Sequence, residues 1–255
     1  MRAPLTLLLL VVLILGLLVP AVQSGQATFE CSLNIAAVAS SGGGVIGSLT
    51  VRVASPGSGF IFVSTSPATD IDVQGAARIA VMAASMLLGF NPLSYDYYFI
   101  VDAPSIIVGG PSAGAAMALG VLLALEGWRC GGDFVITGMI NPDLTIGPVG
   151  GLKEKLEATA EAGGRVFIVP YGQLNYTYYT RVVDRRGPFI FVTVKPETVN
   201  LEELGEKYGV RVREALSLRD AYSMVTGREL AREDSYTGLK ESPVFKPVFN
   251  ELLAL

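Results

Sequence analysis

Histidine occurs nowhere in the 255 residues, which removes the commonest general base of hydrolytic enzymes. A serine nucleophile in this chain must therefore lose its proton to another group, and near neutral pH an uncharged lysine amine is the best remaining candidate. Cysteine is scarce too. Cys31 and Cys130 are too few for a disulfide scaffold and lack metal-ligand spacing, which leaves either one bridge or two buried thiols. No metal and no other cofactor is expected. Charged residues make up only 16% of the chain, 19 basic against 23 acidic, without a lysine or arginine cluster. The electrostatic footprint of a nucleic-acid partner is missing.

What is present begins with a leader. Arg2 is followed by an uncharged apolar run from Leu7 to Val19, then Pro20 and the small or polar Ala21, Gln23, Ser24 and Gly25. Residues 1–24 read as a signal sequence. The 19 residues from Pro4 to Val22 approach the span of a bilayer-crossing helix, so an uncleaved membrane anchor is the other reading. Either way the remainder is expected outside the cytoplasm, secreted or anchored, because Arg2 favours an N-terminus kept inside. Asn175-Tyr176-Thr177 is a glycosylation sequon, a triplet common by chance. One domain over residues 25–227 and a tail over 228–255 account for the rest.

Within the domain, β-branched and apolar stretches at Phe29–Ala39, Val45–Ala54 and Phe60–Ser64 predict consecutive strands. Thr69-x-x-Asp72 opens a long helix from Ile71 to Leu88, whose near-uniform apolarity predicts burial on most faces. A strand at Tyr97–Val101, a helix at Ser112–Leu125, a strand at Phe134–Met139, a helix at Gly151–Ala162 and a strand at Val166–Val169 follow. This alternation predicts an α/β fold with mixed sheets and packed helices. Tyr171–Arg186 reads as a loop or hairpin excursion before a strand at Phe189–Val194. Asn200-x-x-Glu203 and Ser217-x-x-Asp220 open two further helices, ending near Gly209 and at Gly227.

Two segments carry chemistry. Gly109-Gly110-Pro111-Ser112-Ala113-Gly114 presents a serine at a helix start, where the amides near Gly110 and Ala113 suit an oxyanion. Gly147-Pro148-Val149-Gly150-Gly151-Leu152-Lys153-Glu154-Lys155 presents lysines after a glycine pair. Together with Thr137-Gly138 these motifs resemble the Lon protease proteolytic domain, over roughly residues 29–227 and most strongly over 105–170. The resemblance implies Ser112 as nucleophile, Lys153 as general base and Thr137 as the hydroxyl that orients the lysine. It implies a serine peptidase with a Ser/Lys dyad, acting on peptides or unfolded proteins, and a homo-oligomer of hexameric type. Two positions depart from the family's usual pattern. Gly109 stands where an acidic residue is common, and Met139 where a glutamate is.

The lysine segment is not a phosphate-binding loop, because Leu152 separates glycine from lysine and Glu154 follows. Cleavage without ATP is therefore expected. The rival expectation, kept open by Gly109 and Met139, is a silent membrane-tethered peptide-binding or scaffold protein on the same fold. Tyr171, Tyr176, Tyr178 and Tyr179 are candidates for substrate contact or for covering a core edge.

Overall fold

The computed structural model describes residues 26–230 except 40, 41, 70, 109, 129, 132 and 188. The leader, Gly109 and the tail beyond 230 lie outside the described residues. Strands β1 (Ala27–Val38), β2 (Gly44–Ser55) and β3 (Ile61–Thr69) precede helix α1 (Ile71–Leu88) and β4 (Asp96–Val108). A 3₁₀ turn at Pro111–Ala113 leads into α2 (Gly114–Leu125). Next come β5 (Phe134–Ile136), the short β6 (Met139–Ile140) and β7 (Ile146–Gly147), α3 (Leu152–Glu161) and β8 (Val166–Pro170). The chain continues through β9 (Asn175–Arg186), β10 (Phe189–Asn200), α4 (Leu201–Tyr208), β11 (Arg211–Ala215) and α5 (Leu218–Thr226).

Seven strands form one sheet in the order β11-β8-β5-β1-β2-β4-β3. One half is parallel: β11, β8, β5 and β1 run the same way. The other half is antiparallel from β1 through β2 to β4, with β3 parallel to β4 at the edge. Sequence explains the division. β5 and β8 read Phe-Val-Ile and Val-Phe-Ile-Val-Pro, continuous apolar runs that suit burial on both faces. β1 and β2 alternate, and their outer residues stay wet: Glu30 pairs with Arg52 at 2.8 Å, and Ser32 shares a 2.9 Å hydrogen bond with Thr50.

One face of the sheet carries α1, α2 and α5 over Leu33, Leu49, Val51, Phe99 and Ile168. The other carries α3 and α4 over Ala36, Val135, Phe167, Val169 and Val212, chiefly on its parallel half, with α3 reaching the start of β2 at Gly44 and Ile46. Helix α2 is buried throughout from Gly114 to Ala124, so its small and apolar sequence reflects an interior position between sheet and helices. Each of its leucines contributes about 1.5–3 kcal/mol on burial. Helix α1 is less enclosed than its composition predicts. Val73, Ala77, Ala80 and Ala84 are buried, while Ile71, Met82 and Met86 face outward. It is also the described helix long and apolar enough to cross a bilayer, and its inner stripe packs in the core.

Asn200 accepts from the Glu203 amide at 3.0 Å, Ser217 and Asp220 form a capping box, and Gly209 and Gly227 end their helices in left-handed conformation. β9 and β10 pair over their whole length, from Asn175↔Asn200 to Arg186↔Phe189, in a sheet of their own. The excursion is thus a hairpin, with twelve residues in each strand.

Cys31, in β1, and Cys130, beyond α2, form a disulfide with Cα atoms 5.4 Å apart. It links positions 99 residues apart, a closure worth up to about 4.7 kcal/mol in a chain-entropy account. Replacing both cysteines by alanine is expected to lower the unfolding free energy by about 2–5 kcal/mol in a urea titration, and adding reductant to the native chain should reproduce the loss. Equal midpoints with and without reductant would show that the bridge contributes nothing.

Candidate active site

Ser112 sits in the 3₁₀ turn at the head of α2, half-buried, with Gly110 before the turn at φ 82° and ψ 156°. That conformation is open essentially to glycine alone, and it aims the chain into the helix while the serine faces a cavity. The serine's carbonyl is tied down by the Gly138 amide at 2.9 Å and by the Thr137 hydroxyl at 3.4 Å. The Ala115 amide returns a bond to the Gly138 carbonyl at 3.0 Å. Those bonds explain why β5 stops at Ile136 rather than running on to Met139. Gly138 gives both its backbone groups to the serine turn and the start of α2, while the Thr137 amide still donates to the Ile168 carbonyl of β8 at 3.0 Å and Thr137 reaches the turn through its hydroxyl.

The cavity has a volume of about 730 Å³ and is walled by Gly110 to Ser112, Met139, Pro148 to Gly151, and the side of α3 that carries Glu154 and Lys155. Ala37 and Val38 close it from the end of β1, and Tyr176 to Tyr179 from the base of the hairpin. Ala113 belongs to the same turn as Ser112 and packs against the core.

Lys153 is not in this cavity. Residues two apart on a helix point about 200° from one another, so one of Lys153 and Lys155 must face out. Leu152, Lys155, Leu156 and Thr159 make the buried stripe of α3, and Lys153 lies off it. Its Nζ donates to the Tyr178 hydroxyl at 3.4 Å and stands 4.9 Å from the Tyr178 ring centre. That hydrogen bond, with Glu157 and Glu154 nearby, holds the Lys153 amine above its usual pKa, the reverse of what a base near neutrality needs. The expected contact between Lys153 and Thr137 is absent.

Lys155 takes that place. Its side chain is only 4% exposed, and its Nζ donates to the Thr137 hydroxyl at 3.1 Å. Thr137 gives its one proton to the Ser112 carbonyl, so it receives from the amine and ties the lysine to the serine turn. Burial lowers the Lys155 pKa to about 8, against the opposing pull of the Glu154 carboxylate. Glu154 also lines the cavity, so an acidic group is present there although position 139 holds methionine. Met139 forms part of the wall instead, paired with Gly147.

The glycine segment shapes the lysine side. Gly151, at φ 68°, turns the chain left-handed into α3, and its amide donates to the Tyr176 hydroxyl at 2.8 Å. Val149 and Gln173 exchange two bonds, amide to side-chain carbonyl at 3.0 Å and side-chain amide to carbonyl at 2.9 Å. The segment before α3 is therefore fastened to the chain leading into β9. Tyr178 and Tyr179 share the wall with Tyr176, whereas Tyr171 stands outside it. Lys155, Glu154 and Gln173 are the site residues that motif reading passes over. The signal for Lys155 lies in the Leu152-x-x-Lys155-Leu156-x-x-Thr159 periodicity, which puts a lysine at a core position.

Residues 73–176 match the family model of the Lon protease (S16) C-terminal proteolytic domain. That segment is similar to a Lon-type proteolytic domain. The chain is 35% identical over 99 residues to "Lon protease" of Escherichia coli (strain K12), covering 38% of this chain and 13% of that protein. It is 32% identical over 92 residues to "Lon protease 2" of Bacillus subtilis (strain 168), covering 36% and 16%. The match to "Lon protease" of Geobacter metallireducens is 38% identical over 76 residues, covering 30% and 9%. The chain thus spans less than a fifth of these relatives' length.

Burying a lysine has a thermodynamic signature. The folded pKa of about 8 lies below the ordinary lysine value of 10.5, so the folded state bears the cost of the charge at every pH below about 8. The cost fades as pH rises from about 8 to 10.5, because the unfolded chain alone still binds the proton in that window. The shift corresponds to about 3 kcal/mol. Lys155→Met is therefore expected to stabilise the fold at pH 7 and to lose that advantage by about pH 10.5, read from urea midpoints across pH. A Lys155→Met chain less stable than the parent at pH 7 would contradict a charge held at a cost.

Proposed function

We propose that this chain is an exported serine endopeptidase that cleaves peptide bonds without ATP, with Ser112 as nucleophile and Lys155 as general base. The observation that carries the reading is the buried Lys155 amine, lowered toward neutrality, bonded to Thr137 and sharing the Ser112 cavity. In the acylation step the neutral Lys155 takes the Ser112 hydroxyl proton and Ser112 Oγ attacks the scissile carbonyl. Amides at the head of α2, where the helix dipole is positive, stabilise the tetrahedral oxyanion. Protonated Lys155 then gives its proton to the departing amine. In deacylation Lys155 takes a proton from water as the water oxygen attacks the acyl carbonyl, the bond to Ser112 Oγ breaks, and Lys155 returns the proton to Oγ, releasing the acid and regenerating the serine hydroxyl.

The cavity accommodates a few residues of an extended chain, which supports short or unfolded polypeptides as substrates and local opening as the route to cutting a folded one. The glycine-lysine segment builds the cavity wall, which supports a site working without a nucleotide at that loop. The Cys31–Cys130 disulfide supports an oxidising compartment, in keeping with a leader that exports the domain or anchors it to the membrane.

Ser112→Ala and Lys155→Ala are each expected to lower kcat/KM on an unfolded substrate by at least about 10³-fold, with the double variant no worse than either, since the pair acts as a unit. Lys153→Ala should stay within about threefold, because it removes only the Tyr178 contact. An active Lys155→Ala beside an inactive Lys153→Ala would overturn the assignment. For the native chain kcat/KM should climb with pH through about 8, where Lys155 becomes neutral, and stay high above it. On intact cells a membrane-impermeant serine-reactive probe should label Ser112, and labelling only after lysis would refute export.

A further inference from the structure

The β9–β10 hairpin is exposed on both faces over most of its length, yet it is not polar. Its register puts Tyr179, Arg181, Val183 and Arg185 of β9 on one face with Pro196, Val194, Val192 and Ile190 of β10. On that face Tyr179 is 71% exposed, Ile190 61%, Val192 57%, Val183 56% and Val194 54%. A contiguous apolar strip in water is unfavourable and marks a surface that meets something. Packing at home does not explain it: the hairpin touches the core cluster through Leu174, Tyr176 and Val199 at its base. A two-stranded ribbon also gains little stability of its own. The family match ends at Tyr176, so nearly all of the hairpin lies beyond the matched segment.

We propose that this face captures substrate: it binds apolar side chains of an unfolded polypeptide and delivers that chain to the Ser112 cavity. The proposal rests on the peptidase reading above and adds the class of polypeptide it selects. Continuity carries it. Thr177 and Tyr179, which line the cavity, lie on the same face of β9 as Val183; Arg181 stands between Tyr179 and Val183, and the apolar strip continues to Tyr179 through Val194 and Pro196 of β10. A chain lying along Ile190, Val192 and Val194 therefore reaches the cavity without leaving the protein surface. Unfolded polypeptides expose the aliphatic and aromatic side chains that such a strip accepts.

A lipid surface fits less well. β1 enters the described structure at Ala27 and reaches the cavity wall at Val38, a strand of 12 residues spanning roughly 40 Å. The chain following the leader thus joins the sheet at the end remote from the cavity and the hairpin base.

The test uses the full-length chain with Ile190→Thr, Val192→Thr and Val194→Thr together, a change that keeps strand propensity and touches no cavity residue. Binding of fluorescently labelled casein to the Ser112→Ala chain, followed by anisotropy, is expected to weaken at least about tenfold when the three substitutions are added. This readout needs no catalysis, so it stands apart from the peptidase reading. In the chain with Ser112 intact, the triple variant should raise KM for casein about tenfold and leave cleavage of a fluorogenic tetrapeptide within about twofold. Unchanged casein binding overturns the proposal. So does an equal loss on casein and tetrapeptide, which would mean that the hairpin merely positions the site. Loss of flotation with anionic phospholipid vesicles at unchanged casein binding would assign the face to a membrane. A smaller assembly in sedimentation, again at unchanged casein binding, would assign it to a second copy of the chain.

Discussion

A lysine amine buried beside a threonine hydroxyl is the constraint around which this domain is arranged. An ammonium in an apolar interior is costly, and the Lys155–Thr137 bond offsets only part of that cost. The neighbouring segments are placed accordingly. α3 turns Lys155 inward with Leu152 and Leu156, β5 ends so that Thr137 meets it, and the serine turn receives both Thr137 and Gly138. Three segments distant in sequence thus share one short chain of bonds, from amine to hydroxyl to the Ser112 carbonyl. In the proposed mechanism, stability forgone at Lys155 would become reactivity, because the burial that destabilises the charged amine is what moves it toward the neutral form a base needs.

The asymmetric sheet makes that arrangement possible. Its parallel half is covered on both faces, and the dry layer under α3 is what lowers the lysine's pKa. Its antiparallel half is covered by α1 and α2 on one face and is largely open on the other, apart from the start of β2 under α3. Ser112 stands at the start of α2 on one side of the sheet, and Lys155 projects from α3 on the other. Both line the cavity past the end of β1, where Ala37 and Val38 close it and the strand no longer separates the layers.

Much of this was legible in the sequence because local chemistry agreed with the global fold. The caps at Asn200 and Ser217 and the stops at Gly209 and Gly227 are local signals, and they hold. The serine turn, likewise, is written in consecutive residues. What escaped depends on partners far away. β11 reads Arg-Val-Arg-Glu-Ala, with too little apolar alternation to announce a strand, and it forms because β8 presents an edge. β6 and β7 are two residues each. Which of the two lysines lines the cavity escaped for a different reason. A motif specifies Leu-Lys-Glu-Lys as a string, and only the 3.6-residue period says which lysine shares the face of Leu152, Leu156 and Thr159. The outward face of α1 escaped because composition reports how apolar a helix is and not how much of it is covered.

The disulfide completes the mechanical picture of the serine helix. α2 has Ser112 just ahead of its first turn, and Cys130 five residues beyond its end. Cys130 is bonded to Cys31 in β1, the same strand whose far end closes the cavity at Val38. Near that lower end Tyr222 of α5 hydrogen-bonds Glu126, fastening the helix terminus to a second element. At the upper end Gly138, Thr137 and Ile140 hold the turn. A buried helix pinned at both ends cannot slide along the sheet, and a displacement of about 1 Å at a nucleophile is enough to cost orders of magnitude in rate. The covalent link therefore serves geometry as well as stability. It holds the serine in register with a lysine that lines the same cavity from the opposite face of the sheet.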